Sequence, residues 1–417
     1  MLSKWQWLWS QLTTTLWIRA CLFGVFGVAA ALVGSAADTF ETFDAPFDIG
    51  QETIDHILEI LANSMLMVTT FSLSVMVSAY IAATNNVTPR ATKLIRQDTT
   101  TQNVLAVFIG AFLFSLVGLI AINTEVYGEN GRLALFAFTL LMITFIVVAI
   151  FRWIEHLTVL GRVGETSAKV EQATHDALEF YRRNPCLGAR LRDPEVIHEA
   201  RSMQVFAQRV GYVQHIDMEA LEACAKALGS AVYVDVLPGT MVHKTRALLT
   251  VDAKLTPKEQ QTLLSAFVIE DERSFGQDPR FGLCVLTEIA QRALSPAVND
   301  PGTAIDILSR HLRIFAPWRD LSSYDLKKAH CPHLYVTPLS LDSMFEDAFI
   351  PIARDAGPML EVHVRLHKAL QALAAQDSPE LKTAAARCAQ VCLEYALHSL
   401  QLESEKERLY AIVKNPA

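Results

Sequence analysis

The residue types able to do chemistry concentrate in one stretch, Asp271 to Ser309, which reads DERSFGQDPRFGLCVLTEIAQRALSPAVNDPGTAIDILS. Within it Arg273, Asp278, Arg280, Glu288, Arg292, Asn299, Asp300 and Asp306 bring both signs of charge into a short interval. Two helical patterns flank the polar turn Ser295-Pro296-Ala297-Val298-Asn299-Asp300-Pro301-Gly302-Thr303. Asp300 is placed to cap the second helix, Pro301 suits the first helical position because its missing N–H is not needed there, and Thr303 follows. Free N–H groups at such a helix start can bind an anion. Asp300, however, would occupy or repel that position. The whole charged set, with the turn residues Arg292, Ser295, Asn299, Asp300 and Thr303 as its signature, is therefore read first as structural, a buried ion-pair and capping knot or a subunit contact. Ligand sensing is the alternative.

Metal chemistry finds weaker footing. His330-Cys331-Pro332-His333 lacks a second cysteine pair at zinc-finger spacing. His363 and His367 lie one helical turn apart, but Val364 follows His363 where a zinc protease carries Glu. Cys388 and Cys392 share a helical face and suit apolar packing. The chain has no G-x-S-x-G elbow, no Gly-rich phosphate loop followed by Lys-Ser/Thr and no dinucleotide fingerprint. The expectation is a protein that is not an enzyme and holds no metal or cofactor.

The elements that must position these residues begin with composition. Of 417 residues 51% are hydrophobic and 19% charged, with a mean hydropathy of +0.26, which is too apolar for an ordinary soluble chain yet keeps charge for a large water-exposed part. A net charge of -8 argues against a general nucleic-acid binder, which needs a basic footprint. The seven cysteines, Cys21, Cys186, Cys224, Cys284, Cys331, Cys388 and Cys392, are odd in number and scattered, and read as reduced thiols.

Four runs reach the roughly 20 apolar residues that a membrane-spanning helix needs: about 16–37, 57–83, 104–122 and 133–154. Trp5, Trp7, Trp9 and Trp17 suit the headgroup layer, and the first run is read as a retained helix rather than a cleaved signal. The loop between the first two runs carries Asp38, Glu41, Asp44, Asp48, Glu52 and Asp55 without a Lys or Arg, whereas Arg90, Lys93 and Arg96 follow the second run. By the positive-inside rule both termini face the cytoplasm, and Arg152 and Arg162 flank the inner end of the fourth run.

The second run differs from the others in its polar content. At about 100° per residue, Asn63, Thr70, Ser74 and Ser78 fall within an arc of roughly 80°, with Met67, Val77 and Ile81 between them. Such a stripe either brings helices together and hydrogen-bonds across them or lines a wet path. No Asp, Glu, Lys or Arg sits in the middle of any run, which suits a passive path better than a proton-coupled pump.

From Glu155 hydropathy falls, and helical spacing through Leu157, Leu160, Val163, Val170, Ala173, Ala177 and Phe180 predicts that the fourth helix runs on beyond the membrane. Short β-like runs follow at Gln204–Ala207, Gly211–Ile216, Ala231–Leu237 and Ala247–Val251, with a helix opened by Asp217 and a tight turn at Pro238-Gly239. Thr256 and Glu259 have capping-box spacing. A looser region, Trp318 to Pro338, precedes helical patterns at 342–355, 358–375 and 379–403, the last with Ser378 as its cap.

FGQDPRFGLCVLTEIAQRALSPAVNDPGTAID, the upstream GYVQHIDMEAL and LPGTMV, and FSLSVMVSAYIAATNNVTPRA after the second run closely resemble the bacterial membrane-protein family catalogued as domain of unknown function 2254. The resemblance covers nearly the whole chain, and RALSPAVNDPGTA is its most specific segment. Relatives of this kind tend to read Phe-Ser-Pro-Arg after the second span; Asn86-Val87-Thr88-Pro89-Arg90 here keeps the Pro-Arg pair. The resemblance implies an inner-membrane protein with a cytoplasmic carboxyl domain and confers no activity.

The expected fold is four transmembrane α-helices over 1–154, followed by a cytoplasmic α+β domain over 155–417, with a small β unit in 155–270 and a mostly helical part in 271–417. The expected function is a homo-oligomeric, channel-like path for ions or small solutes in the inner membrane, lined partly by Asn63, Thr70, Ser74 and Ser78 and regulated by the carboxyl domain. The alternative is a membrane-anchored sensor or scaffold that binds a small ligand or partner protein. Membrane lipids and further copies of the chain are the expected partners, and nucleic acid is not.

Overall fold

The computed structural model describes residues 50–96, 98–124, 128–159, 161–192, 202–324 and 329–414, with isolated residues between 18 and 29. The chain divides into two compact units, one within residues 8–166 and one over 167–417. Of the predicted first span, 16–37, Ile18, Cys21, Leu22, Gly24, Val25, Val28 and Ala29 are helical, and the rest lies outside the described residues with the four amino-terminal tryptophans and the acidic loop 38–49.

In the first unit α1 (Gln51–Asn86), the short α2 (Thr92–Arg96), α3 (Thr99–Asn123) and α4 (Glu129–Leu157) follow one another. Among the described residues three stretches are long and apolar enough to cross a membrane: Gln51–Ala82, Thr92–Asn123 and Asn130–Leu157. Helix α1 starts before the predicted Ile57, taking Glu52 and Asp55 into its opening turns, where acidic side chains complement the helix dipole. Its start is tied to the end of α3: Gln51 Nε2 donates to Ile122 O at 3.3 Å and Asn123 Nδ2 donates to Asp55 Oδ1 at 3.2 Å. Close packing around α3 depends on Gly118, where an added Cβ would stand 3.0 Å from Leu58 Cδ1 and 3.6 Å from Leu135 Cδ1. Phe108, Phe114, Leu58 and Leu135 fill the core between these helices.

The predicted run-on of the last span is corrected. Helix α4 ends at Leu157 and α5 (Val163–Arg183) starts anew after a turn. Gly161 takes φ +79° there, in the left-handed region that suits glycine, and a Cβ at that position would stand 3.2 Å from the Ala79 carbonyl oxygen. Hydrophobic spacing continues across a break that backbone geometry imposes. The boundary between the two units falls just beyond it, inside α5.

The second unit opens with α5 and carries eight strands among the described residues: β1 (Ala189–Leu191), β2 (Met203–Phe206), β3 (Gly211–Ile216), β4 (Val232–Val234), β5 (Met241–Val242), β6 (Ala247–Val251), β7 (Phe267–Glu270) and β8 (Cys331–Val336). They form a mixed sheet in the order β1-β8-β4-β6-β2 and an antiparallel one in the order β5-β3-β7, so the β unit among the described residues is two sheets. Strand β8 sits between β1 and β4 and runs parallel to both. It arises from the segment read as a looser region, whose CPHLYV pattern carries Pro332 and two polar residues. Val232, Val234, Leu249, Val251, Leu334 and Val336 enter one core with Leu221 and Ala225 of α6 (Met218–Leu228). On the row that includes Tyr233 and Tyr335 the two rings stack with centroids 5.0 Å apart.

Helix α7 (Pro257–Ser265) has the predicted capping box, with Glu259 accepting from Thr256 N at 2.7 Å. The signature stretch folds as α8 (Pro279–Leu294) and α9 (Pro301–Phe315). Helices α10 (Leu341–Asp355), α11 (Leu360–Ala374), α12 (Pro379–Ser399) and α13 (Glu403–Lys414) complete the unit. The last predicted helix, 379–403, is two helices, because the chain turns between Ser399 and Glu403 and buries Leu400 with Ala396 and Leu409. Phe315, Phe345 and Phe349 make an aromatic cluster in this part, with His311 edge-on to Phe349.

Candidate functional site

Asn63, Thr70, Ser74 and Ser78 lie along one side of α1, and all four are exposed. Met67 and Phe71 beside them are 75% and 63% exposed, and Val77 and Ile81 are exposed as well. The opposite side, with Ile54, Leu58 and Met65, packs into the unit's core. The stripe thus lies on the side of α1 away from the core it shares with α3 and α4. Two of its hydroxyls are satisfied within the helix: Thr70 Oγ1 donates to Leu66 O at 2.9 Å and Ser78 Oγ to Ser74 O at 3.0 Å. The Asn63 amide, which no single back-bond can satisfy, has no hydrogen-bond partner among the described residues. Such a group would cost free energy if left in hydrocarbon.

The turn between α8 and α9 is built as its residues dictate. Asp300 Oδ1 accepts from Thr303 N at 3.0 Å and its Oδ2 from Thr303 Oγ1 at 2.6 Å. These hydrogen bonds hold the Asp300 carboxyl below the usual range. Ser295 Oγ donates to Arg292 O at 2.7 Å, and Ser295 O accepts from Asn299 N at 2.9 Å. Asn299 takes φ +51°, a left-handed conformation that asparagine tolerates. The structure brings Ser295, Asn299, Asp300 and Thr303 together as a capped turn, but an exposed one: Arg292, Val298, Asn299 and Asp300 all face solvent. The expected burial of this knot is corrected.

The buried ion pair lies at the other end of α8. Asp278 caps α8 by accepting from Phe281 N at 3.0 Å, and it takes both Arg273 Nε at 2.8 Å and Arg273 Nη2 at 3.0 Å. Asp278 is only 4% exposed. Burial pushes its carboxyl above the usual value, against the pull of Arg273 and the Phe281 N–H. The Arg273 guanidinium lies over the Phe281 ring at 5.1 Å. Gly239, at φ +90°, sets its Cα against the Asp278 carboxylate, leaving no room for a Cβ. The Tyr181 hydroxyl is buried nearby without a hydrogen-bond partner among the described residues; burial first, then Asp278, raises its pKa far above the ordinary phenol. Farther along, Arg280 Nε pairs with Asp347 at 2.6 Å, while Arg310 and Arg313 both pair with Glu171. The charged set expected to hold a buried ion pair included Arg273 and Asp278, but their types and spacing did not single these two out. The Pro-Gly turn was the available signal for the close approach at Gly239.

The histidines of the helical part are packing residues in geometry. His363 Nε2 donates to Gly357 O at 2.9 Å, and His363 and His367 are both buried. Burial lowers the pKa of His311 to about 3 and that of His367 to about 4, so both rings are neutral near pH 7. His333 Nδ1 meets Glu222 Oε1 at 2.7 Å, while Cys331 is buried in β8. Among the described residues no three His, Cys, Asp or Glu side chains converge as a metal site.

Three stretches long and apolar enough to cross a membrane, together with an α+β unit, fit the class of predicted membrane proteins that carry a further folded unit. Within it, the chain belongs to the family described as predicted membrane protein (DUF2254), whose model matches residues 13–372. It is also similar to uncharacterized proteins of Mycobacterium bovis and Mycobacterium tuberculosis, each 26% identical over 259 residues that cover 60% of this chain and 50% of the relative. The chain spans about half the length of the curated relatives it matches. No solved structure matches it.

Proposed function

We propose that this protein is a multi-pass inner-membrane protein, with both termini cytoplasmic, that assembles with further copies through the striped face of α1. The assembly encloses a passive, weakly selective path for ions or small solutes, and the unit that follows α4 regulates it. One observation carries the reading: Asn63, Thr70, Ser74 and Ser78 point away from the other helices α2–α4 of their unit while Asn63 has no partner among the described residues. A face that merely glued together the helices of one copy would be covered by them.

Purified protein in liposomes tests it. Ser74→Cys with Cys21→Ala is expected to cross-link between copies, and wild-type liposomes are expected to pass ions or small solutes. Cross-linking without any flux under varied voltage, tension and ion composition would overturn the path while leaving the assembly. The exposed turn at 295–303, with Val298 half exposed, favours a second reading as a membrane-anchored scaffold that meets a partner protein there.

A further inference from the structure

A cavity of about 610 Å³ opens between the start of α3 and the end of α4. Its deep wall is apolar, made by Val104, Val107, Phe145 and Val148, and its outer end is polar, made by Thr100, Arg152, Glu155 and His156. Phe145 stands about 16 Å along the helix from His156, at ~1.5 Å per residue, so the cavity runs from the end of the span well into its apolar part. Such a gradient fits a lipid, whose head and tail differ in the same direction.

The polar end specifies the head. His156 Nε2 is held by Asp98 Oδ1 at 3.1 Å and lies 3.1 Å from Thr101 Oγ1. Asp98 also caps α3 by accepting from Thr101 N at 2.9 Å. The helix start and the imidazole are thus already occupied and add no positive site for an anion. Arg152 and Glu155 remain. They are three residues apart on α4, so their side chains leave the helix one turn apart on the same side. Both line the cavity, both are exposed, and neither has an ion-pair partner among the described residues, including each other. Two opposite charges held side by side and unpaired complement a ligand that carries both charges itself. Gly24 packs against Leu113, which lies about 180° around α3 from Val104, so that contact is on the far side of the helix from the cavity.

The geometry points to a phospholipid site selective for a phosphoethanolamine head: Arg152 takes the phosphate, Glu155 accepts from the primary ammonium, and an acyl chain lies along Val107, Phe145 and Val148. Phosphate and ammonium in that head are two carbons apart, which suits side chains one helical turn apart. A glycerol head offers Glu155 no cation, and a choline head offers it no N–H donor.

The test uses the full chain in nanodiscs with equal parts of phosphatidylethanolamine, phosphatidylglycerol and phosphatidylcholine, with retained lipid read by native mass spectrometry. The ethanolamine lipid is expected to be retained about ten-fold over the other two, the weight of one charge-assisted hydrogen bond. Arg152→Gln should abolish retention and Arg152→Lys should keep it, which separates loss of the site from loss of fold. Glu155→Gln should leave retention but erase the preference for ethanolamine. Equal retention of all three lipids by the wild type, preference for the glycerol lipid, or full release by inorganic phosphate would each overturn the assignment.

Discussion

Single residues hold the second unit together where charge is buried. Asp278 depends on Gly239, whose missing side chain leaves room for the carboxylate to reach Arg273. Gly239→Ala adds left-handed strain and pushes on a buried ion pair, with an expected loss of about 3 kcal/mol or more. Gly229 also has positive φ, +60°, but open space around it, so Gly229→Ala is expected to cost only ~1 kcal/mol. Comparing the two by denaturant unfolding isolates the ion pair from the backbone; equal losses would refute the close-packing account. The buried histidines set a pH dependence. Their folded pKa values, about 3 for His311 and about 4 for His367, lie below the ordinary 6.5. Above pH 6.5 both rings are neutral in the folded and the unfolded chain, and the full stability is present. As pH falls below 6.5 the unfolded chain takes up protons that the folded one refuses, and stability is lost down to about pH 3–4. Thermal unfolding scans between pH 7.5 and 4.5 should show this slope, and His367→Gln should flatten it by up to about 1.4 kcal/mol per pH unit, one proton's share.

At the scale of elements, α1 is the least covered of the three described spans of its unit. It buries one side against α3 and leaves a stripe whose Asn63 amide has no partner among the described residues. Asn63→Leu is expected to reduce the assembled fraction about three-fold or more, since interhelical polar contacts in membranes contribute ~0.6–2 kcal/mol each. Cross-linking through Ser74→Cys reads that fraction; an unchanged yield would show that the Asn63 amide does not hold the copies together, and no cross-link at all would show that the stripe is not where copies meet. Much of this element was legible beforehand, because period and polarity alone placed Asn63, Thr70, Ser74 and Ser78 on one side. Capping was equally legible: Asp217, Thr256, Asp300 and Ser378 all accept from the N–H groups their spacing predicted. Strand β8 was not, because its apolar residues are too few to mark it and its place depends on β1 and β4, far away in sequence.

For the molecule as a whole, the residues themselves determined the apolar spans, the drop in hydropathy after α4, the mixed helices and strands beyond it, and the capped turn at 295–303. These follow from local chemistry: hydropathy over roughly 20 residues, hydrogen-bonding side chains three residues from the N–H they cap, and the conformational demands of proline and glycine. Only the tertiary structure decided that the signature's buried charge sits at Arg273 and Asp278 while its turn is exposed, because burial depends on which distant segment, here the Gly239 turn, comes to lie against it. It also decided that α4 stops before α5, since Gly161 must pass close to Ala79. Likewise it placed Arg152, which reads along the chain as an ordinary flanking charge, and Glu155 together at the mouth of an apolar cavity with no ion-pair partner among the described residues.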